Sequence, residues 1–456
     1  MLTLRGYRVA KKDVNVADLK KELTVRPYIP SAFVKPHLVP KYPVFQEDAE
    51  FMYVPKHFGL DKFGKVPARD VEQTHPSHWT FVGSIRPVQQ VVVDSFLKPE
   101  PHDGLISLQT GGGKTVCALY IASQLRLPTL VIVHNTFLRD QWEERIKAFL
   151  PNAVIGRVQA DKVEVVGCDF VIAMLQTLSM REIDSAVFKN IGLVIVDECH
   201  HIASEVFVQS LPKITSKYML GLSATPERKD KLMYVINWFL GPMLYKSDTG
   251  DSVDTAVKVE VYEYENYDTK FNEIIYSSQG LMSAPLMINK LAECEDRTQW
   301  LARILEDVID EGRQILVLSD RVQHCLDLQA ALTPELREKT GILGQGVKAD
   351  KRAELMATKS ILIATYSMCK EGFDLATLNT LMMATPRPDI DQIVGRILRV
   401  EKSKRTMDPI ILDIVDPQFR NQFQQRMALY RKRQYSISKL RLPSPEGAKL
   451  MWPGAK

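Results

Sequence analysis

Two series of short apolar runs constrain the fold of this chain more than any other feature. The first series lies between residues 104 and 225, and the second lies between residues 314 and 416. Segments with helical periodicity, such as residues 136–150, separate the runs. Continuous apolar runs of this length are typical of parallel strands that helices cover on both faces. The sequence therefore predicts an α/β fold with two tandem lobes, each a parallel sheet flanked by helices.

The domain boundaries follow from changes in composition along the 456 residues, a length that exceeds what one hydrophobic core commonly holds. Prolines and aromatic residues alternate between Pro27 and Pro76, which favours short strands and loops over long helices. We predict the following divisions: an accessory, possible nucleic-acid-binding segment at 1–80, a first lobe at 81–245, a connecting segment at 246–290, a second lobe at 291–430 and a basic tail at 431–456.

The charge of the chain is uneven, although its formal net charge is only +4. Residues 1–80 carry 13 basic and 9 acidic side chains, and residues 417–456 carry 9 and 1. Basic ends on a mildly acidic body are typical of a protein that binds a polyanion, because each neutralised phosphate releases counterions. Solvated charged faces would give the same composition, so both interpretations stay open.

The composition also bears on location and redox chemistry. No apolar run approaches the roughly 20 residues that span a bilayer, and the first residues lack the apolar core of a secretion signal. We therefore expect a soluble intracellular protein with no membrane partner. The six cysteines have no C-x-x-C spacing, so the sequence predicts neither a disulfide framework nor a zinc site.

The segment LQTGGGKT (108–115) has the composition of a phosphate-binding loop, since it follows an apolar strand and precedes a helix-forming stretch. Its glycines let backbone N–H groups approach phosphate oxygens at a helix N-terminus, which favours negative charge. Lys114 would reach the β- and γ-phosphates, and Thr115 would offer its hydroxyl to Mg²⁺. The strict pattern requires glycine at position 108, where this chain has leucine. The alternative, a glycine-rich turn without a ligand, would only weaken the fold here.

An acidic pair ends the apolar run of VIVDECHH (194–201). The carboxyl ends of parallel strands are where open α/β sheets bind ligands. Asp197 is therefore expected to hold Mg²⁺ through water, and Glu198 to orient and deprotonate the attacking water. No further ligands at a plausible spacing complete a metal site with the adjacent histidines. We assign His200 a coupling role and His201 a structural one.

Further motifs follow in a fixed order. GLSATPERKD occupies residues 221–230, ATYSMCKEGFDL occupies residues 364–375, and QIVGRILR occupies residues 392–399. The last matches the arginine-finger pattern Q-x-x-G-R-x-x-R. With the phosphate loop and the DECH sequence, this series over residues 84–400 resembles the superfamily 2 helicases. The resemblance implies two RecA-like lobes, ATP and Mg²⁺ as cofactors, and a nucleic acid as partner.

Some motifs resemble one branch of that superfamily. RPVQQ (86–90), IVHNTFLRDQW (132–142), MLQTLS (174–179) and FLGPMLYK (239–246) are most similar to the XPB and UvsW branch of DNA helicases. DEAD-box RNA helicases fit less well, because residue 200 is histidine rather than aspartate. Lys229 departs from the Arg-Glu-Asp triplet of the XPB-like proteins. The opening segment resembles helicases of large DNA viruses, including the poxvirus transcript-release helicase.

The resemblance assigns roles to individual residues. Catalysis is assigned to the side chains expected near the γ-phosphate and the attacking water, which are Lys114, Glu198, Gln392, Arg396 and Arg399. Nucleotide binding is assigned to the phosphate loop and to side chains expected near adenine and ribose, which are Arg86, Gln89, Thr110, Gly111, Gly112, Gly113, Lys114, Thr115, Gly372 and Asp374. Mg²⁺ binding is assigned to Thr115 and Asp197, and coupling to His200, Ser223, Ala224 and Thr225.

Contacts to the nucleic-acid strand are assigned to Thr136, Arg139, Thr177 and Thr365. Hydroxyls and arginines at such loops bind phosphates without reading bases. Each threonine alone fits a helix cap equally well. The finger residues at positions 392, 396 and 399 share one helix face, which a solvated polar surface would also explain.

These motifs predict an ATP-dependent DNA helicase or translocase that unwinds duplexes or remodels branches, and the branch resemblance implies 3′-to-5′ movement. An RNA helicase or a double-strand translocase that does not unwind is the alternative, and a non-motor P-loop ATPase is the alternative of another class. We expect a monomer that contacts DNA, or RNA, within transcription, repair or replication machinery. Its expected location is the nucleus or cytoplasm, or the virion if the protein is viral.

Overall fold

The computed structural model describes the chain in segments. The described residues are 1–28, 39–66, 79–108, 111–201, 208, 210–224, 230–247, 256–277, 280, 282–309, 313–344, 347, 349–370, 377–397 and 405–440. The chain divides into two compact units, Met1–Ser247 and Asp248–Lys456. Within the described segments, no helix combines the length and apolar character needed to cross a bilayer.

The first unit begins with a small antiparallel sheet. Its N-terminal strands are β1 (Leu2–Thr3), β2 (Gly6–Ala10), β3 (Thr24–Val25), β4 (Tyr42–Pro43), β5 (Gln46–Glu47) and β6 (Phe51–Val54). Strands β1, β2, β6 and β5 form the sheet in that order, and β3 pairs with β4. Helices in this part are Val16–Glu22 and Lys56–Phe63. The predicted short strands are present, and the two helices are also short.

A mostly parallel sheet of eight strands forms the body of the first unit. Its strands are β7 (Gly104–Ser107), β8 (Thr129–Val133), β9 (Ile155–Gln159), β10 (Lys162–Val163), β11 (Phe170–Met174), β12 (Leu193–Val196), β13 (Tyr218–Ser223) and β14 (Met243–Lys246). Their order is β10-β9-β11-β8-β12-β13-β7-β14, and only the pairing of β10 with β9 is antiparallel. The flanking helices are Pro87–Leu97, Lys114–Leu125, Thr136–Phe149, Leu175–Met180 and Met233–Leu240.

The accessory sheet shares a hydrophobic core with this larger sheet. Met52 and Val54 belong to the same buried cluster as Val196 and Ile236. A buried ion pair crosses the same junction, because Lys56 Nζ lies 2.6 Å from Asp103 Oδ2. The N-terminal segment is therefore an integral part of the first unit.

The second unit contains a parallel sheet of seven strands. They are β15 (Lys258–Glu263), β16 (Ile315–Ser319), β17 (Thr340–Leu343), β18 (Ile361–Thr365), β19 (Thr380–Met383), β20 (Ile410–Val415) and β21 (Ser436–Leu440), in the order β17-β18-β16-β19-β20-β15-β21. The helices are Thr269–Asn272, Ala284–Glu293, Glu295–Val308, Val322–Ala331, Pro334–Glu338, Ala349–Thr358, Tyr366–Lys370, Asp391–Ile397 and Arg420–Lys432.

The predicted α/β fold with two tandem RecA-like lobes is confirmed. Strands β7, β8, β11, β12 and β13 coincide with the apolar runs of the first series, and each is almost fully buried because helices cover both faces. Two strands of the second sheet lie outside the predicted bounds of the lobes. Strand β15 falls within the predicted connecting segment, and β21 falls within the predicted tail. Both are partly polar, so their sequences lack the continuous apolar pattern of the central strands.

Candidate active site

The phosphate loop has the backbone that its glycines predict. Gly111 and Gly113 have φ angles of 81° and 89°, in the left-handed region that favours glycine. Gly113 caps the helix Lys114–Leu125. A Cβ atom at Gly113 would lie 2.1 Å from Gln89 Nε2, so a larger residue there would displace this amide and would also strain the backbone.

Arg86 and Gln89 contact this loop. Arg86 Nη2 donates to Gly112 O at 3.2 Å, and Gln89 Nε2 lies 3.4 Å from the same oxygen. Gln89 Oε1 also accepts a hydrogen bond from the Arg86 backbone N–H at 2.8 Å, which caps the helix Pro87–Leu97. Both side chains therefore hold the loop in place. Their predicted contact with adenine stays a prediction.

Lys114 and Glu198 meet at the carboxyl edge of the sheet. Lys114 Nζ lies 3.4 Å from Glu198 Oε1 and 3.5 Å from Leu108 O. Strands β7 and β12 are parallel, so the loops that follow them lie at the same edge. The predicted phosphate-binding lysine and the predicted base are therefore direct neighbours.

Asp197 is buried beside them, and both of its carboxylate oxygens accept hydrogen bonds. Oδ1 accepts from the Glu198 backbone N–H at 2.9 Å, and Oδ2 accepts from Trp142 Nε1 at 2.8 Å. Burial and the negative charge of Glu198 raise the pKa of Asp197 to about 6. Burial alone would raise the pKa of Glu198 as well, but the charge of Lys114 and the hydrogen bond from His200 give a net lowering. Glu198 has a φ of 47°, an uncommon conformation for this residue.

His200 connects this acidic pair to strand β13. Its Nδ1 lies 3.0 Å from Ser223 Oγ and 3.3 Å from Glu198 Oε2. The structure thus brings together two of the residues predicted to couple ATP hydrolysis to strand contact. Ala224 follows at the end of the same strand. Their coupling role itself stays a prediction.

The donor set suits Mg²⁺ rather than a metal held by the protein alone. Asp197 supplies one carboxylate, and Thr115 lies in the first turn of the helix that follows the phosphate loop. Mg²⁺ is commonly bound by one or two protein groups together with substrate phosphates and water. Among the described residues, no cluster of three or more His, Cys, Asp or Glu side chains could hold a metal ion.

Among the four residues predicted to contact nucleic acid, Arg139, Thr177 and Thr365 have hydrogen-bond partners within the protein. Thr136 begins the helix Thr136–Phe149, but the cap is the neighbouring Asn135. Arg139 contacts Asp140 and Gln159. The remaining two threonines accept backbone hydrogen bonds: Thr177 Oγ1 from Ala160 N at 3.2 Å, and Thr365 Oγ1 from Met368 N at 3.4 Å.

Part of the predicted site lies outside the described residues. This applies to Thr110, Thr225, Gly372, Asp374 and Arg399. For Gln392 and Arg396, the structure describes only the backbone of the helix Asp391–Ile397. The roles of these seven residues stay predictions.

The sequence motifs assign no individual role to Trp142, although its buried side chain donates a hydrogen bond to Asp197. Its helix shows apolar periodicity, and a tryptophan on such a face is most often part of the core. Only the fold reveals that its N–H reaches a carboxylate 55 residues away in the sequence.

Comparison with known proteins identifies the family. The profile of the family described as "Type III restriction enzyme, res subunit" matches residues 83–228. A protein of Acanthamoeba polyphaga mimivirus named as an ATP-dependent RNA helicase is 32% identical over 451 residues, which cover 96% of this chain and 86% of that protein. The chain belongs to the superfamily 2 helicases. This helicase is therefore an ATP-hydrolysing enzyme, as the sequence predicts.

Two further likenesses extend over most of this helicase. A helicase of Invertebrate iridescent virus 6 is 28% identical over 389 residues, which cover 77% of this chain and 82% of that protein. The structure of S. cerevisiae Dbp5 bound to RNA and ADP BeF3 matches with a TM-score of 0.55 at 15% identity, and the match covers 80% of this chain and 91% of that chain. At this identity the match bears on the fold alone.

Proposed function

We propose that this helicase couples MgATP hydrolysis to movement along a DNA strand, with duplex unwinding or branch remodelling as the result. The observation that carries the proposal is the contact between Lys114 and Glu198 beside the buried Asp197. A lysine, a base and a metal-binding carboxylate at the end of parallel strands are the groups that phosphoryl transfer to water requires.

Each of these groups has a defined task in the proposed reaction. Lys114 neutralises charge on the β- and γ-phosphates, and its present partner Glu198 then becomes free to orient and deprotonate the attacking water. Asp197 and Thr115 would hold Mg²⁺, which would offset charge on the phosphate oxygens. The two hydrogen bonds to Asp197 fix the direction of its lone pairs before the metal binds.

The second lobe would supply the remaining positive charge. Gln392, Arg396 and Arg399 match the arginine-finger motif, and we propose that they stabilise the γ-phosphoryl group in the transition state. We further propose that Gly372 and Asp374 lie near the ribose. Hydrolysis would then depend on closure of the two lobes.

DNA is the proposed substrate because the motifs are most similar to the XPB and UvsW branch. RNA is the second candidate, since the mimivirus relative is named as an RNA helicase. A comparison of ATPase rates with single-stranded DNA, duplex DNA, branched DNA and RNA tests the choice. Strand displacement from duplexes with 3′ or 5′ tails tests the direction, for which we propose 3′-to-5′.

The Lys114→Ala variant tests the site itself. It is expected to lose nearly all hydrolysis, because no ammonium then neutralises the developing charge. The matched control is Lys162→Ala, since the Lys162 side chain is 69% exposed on strand β10. Turnover by Lys114→Ala at the rate of the control would refute the assignment of the site.

A further inference from the structure

We propose that Trp142 is a positioning residue that links the strand-contacting end of its helix to the metal-binding carboxylate of Asp197. The proposal rests on the proposed function, because it assumes that Asp197 holds Mg²⁺ and that the loop before the helix contacts the nucleic acid. It adds a path, within one lobe, by which binding of the nucleic-acid strand would affect the ATP site.

The first support is the geometry of the hydrogen bond. Trp142 is 1% exposed, and its Nε1–H donates to Asp197 Oδ2 at 2.8 Å. The other oxygen of Asp197 accepts from the Glu198 backbone at 2.9 Å. The indole therefore fixes the rotation of the carboxylate, which the backbone bond alone leaves adjustable. A hydrogen bond to an ionised acceptor is also stronger than one between neutral groups.

The second support is a contrast with other buried tryptophans. Trp79 and Trp300 are 3% and 1% exposed, and their Nε1 atoms have no hydrogen-bond partner among the described residues. At these two positions the indole is therefore buried because its ring is apolar, and its N–H plays no part. At Trp142 the ring is buried equally well, and its N–H is additionally directed at a carboxylate of the active site.

The third support is the position of Trp142 on its helix. The helix begins at Thr136, and Asn135 Oδ1 caps it by accepting from Leu138 N at 2.8 Å. Arg139, a predicted strand contact, precedes Trp142 by three residues, so the two lie about one turn apart. The loop before the helix is held by Gln176 Nε2, which donates to His134 O at 2.6 Å.

A mechanical consequence follows from this arrangement. An α-helix transmits a shift of its first turn along its length, because each turn is hydrogen-bonded to the next. A strand that binds at the first turn would move the indole, and with it the carboxylate that orients Mg²⁺. Residues that orient a metal ligand commonly change metal affinity or activity by about 10- to 100-fold when they are replaced.

The Trp142→Phe variant tests this proposal, because it keeps an aromatic ring and removes the N–H. We expect the Mg²⁺ concentration for half-maximal hydrolysis to rise by about tenfold. We also expect the ratio of the ATPase rate with a single-stranded oligonucleotide to the rate without it to fall by a similar factor. The matched control is Trp79→Phe, in the same hydrophobic cluster. It removes an N–H that has no partner among the described residues, and we expect less than about a twofold change in both quantities.

Equal effects of the two replacements would refute the proposal, since ring packing would then explain them. A wild-type protein without strand-stimulated hydrolysis would refute the proposed function together with the coupling. Normal stimulation in wild type and in Trp142→Phe would refute only the role of Trp142.

A measurement on the unaltered protein covers the case in which Trp142→Phe fails to fold. With ¹⁵N-labelled tryptophan, we expect the N–H groups of the five indoles to give separate resonances. The Trp142 resonance should shift when the oligonucleotide or Mg²⁺ is added, and those of Trp79 and Trp300 should not. A Trp142 resonance that stays unchanged under both additions would also refute the proposal.

Discussion

Replacement of Arg426 by methionine should destabilise the second unit, because it breaks a buried ion pair. Arg426 is 1% exposed and Asp413 is 0% exposed. The guanidinium donates to both Asp413 oxygens, with Nη2 at 2.7 Å from Oδ1 and Nε at 3.0 Å from Oδ2. Its Nη1 also donates to Arg387 O at 2.9 Å, in the loop that leads to the helix Asp391–Ile397.

The size of the effect follows from what remains after the change. Removal of one partner from a buried ion pair costs about 3–5 kcal/mol, since the other charge stays buried without compensation. Asp413 Oδ2 keeps one donor, the Tyr430 hydroxyl at 2.8 Å, so we expect the lower end of this range. A loss of about 3 kcal/mol in the free energy of unfolding corresponds to roughly a 100-fold increase in the population of the unfolded state.

Hydrogen–deuterium exchange measures this change in the full chain. Peptides from strand β20 and from the helix Arg420–Lys432 should lose protection by roughly 100-fold in Arg426→Met. Arg431→Met on the same helix is the control, because Arg431 is exposed. The double variant Asp413→Leu/Arg426→Met should recover much of the protection, since no buried charge remains. Equal protection in Arg426→Met and the control would refute the reasoning.

Three further predictions concern the ATP site. Glu198→Gln should bind ATP normally and lower kcat by about 100- to 10,000-fold, the usual contribution of a general base; lost ATP affinity in a nucleotide titration would instead indicate a structural role. Gly113→Ala should weaken ATP binding, because its Cβ would lie 2.1 Å from Gln89 Nε2. Gly64 also has a positive φ, 93°, but no atom lies within 4 Å of its Cβ position, so Gly64→Ala should leave ATP binding unchanged. Similar ATP affinities of the two variants would contradict this prediction. Arg433→Ala breaks the ion pair that anchors Asp391 at the start of the predicted finger helix, so kcat should fall more than ATP affinity; an unchanged kcat would argue against this anchoring role.

The sequence by itself determined the features that short segments encode. Apolar runs predict the central strands, because a strand covered on both faces needs continuous apolar residues. Three glycines followed by Lys114 predict the phosphate loop, since both the left-handed backbone and the lysine are local. The acidic pair at the end of strand β12 is local in the same way, and the structure places Glu198 against Lys114 as the motifs imply.

Only the tertiary structure decided how distant segments meet. The order of the strands brings Trp142 to Asp197, places β15 between β20 and β21, and buries Lys56 against Asp103. No local sequence pattern predicts these contacts, because each depends on how the side chains of a whole sheet pack together. The N-terminal strands likewise look like a separate segment in the sequence, yet they complete the core of the first lobe, since an antiparallel sheet this small buries too little apolar surface alone.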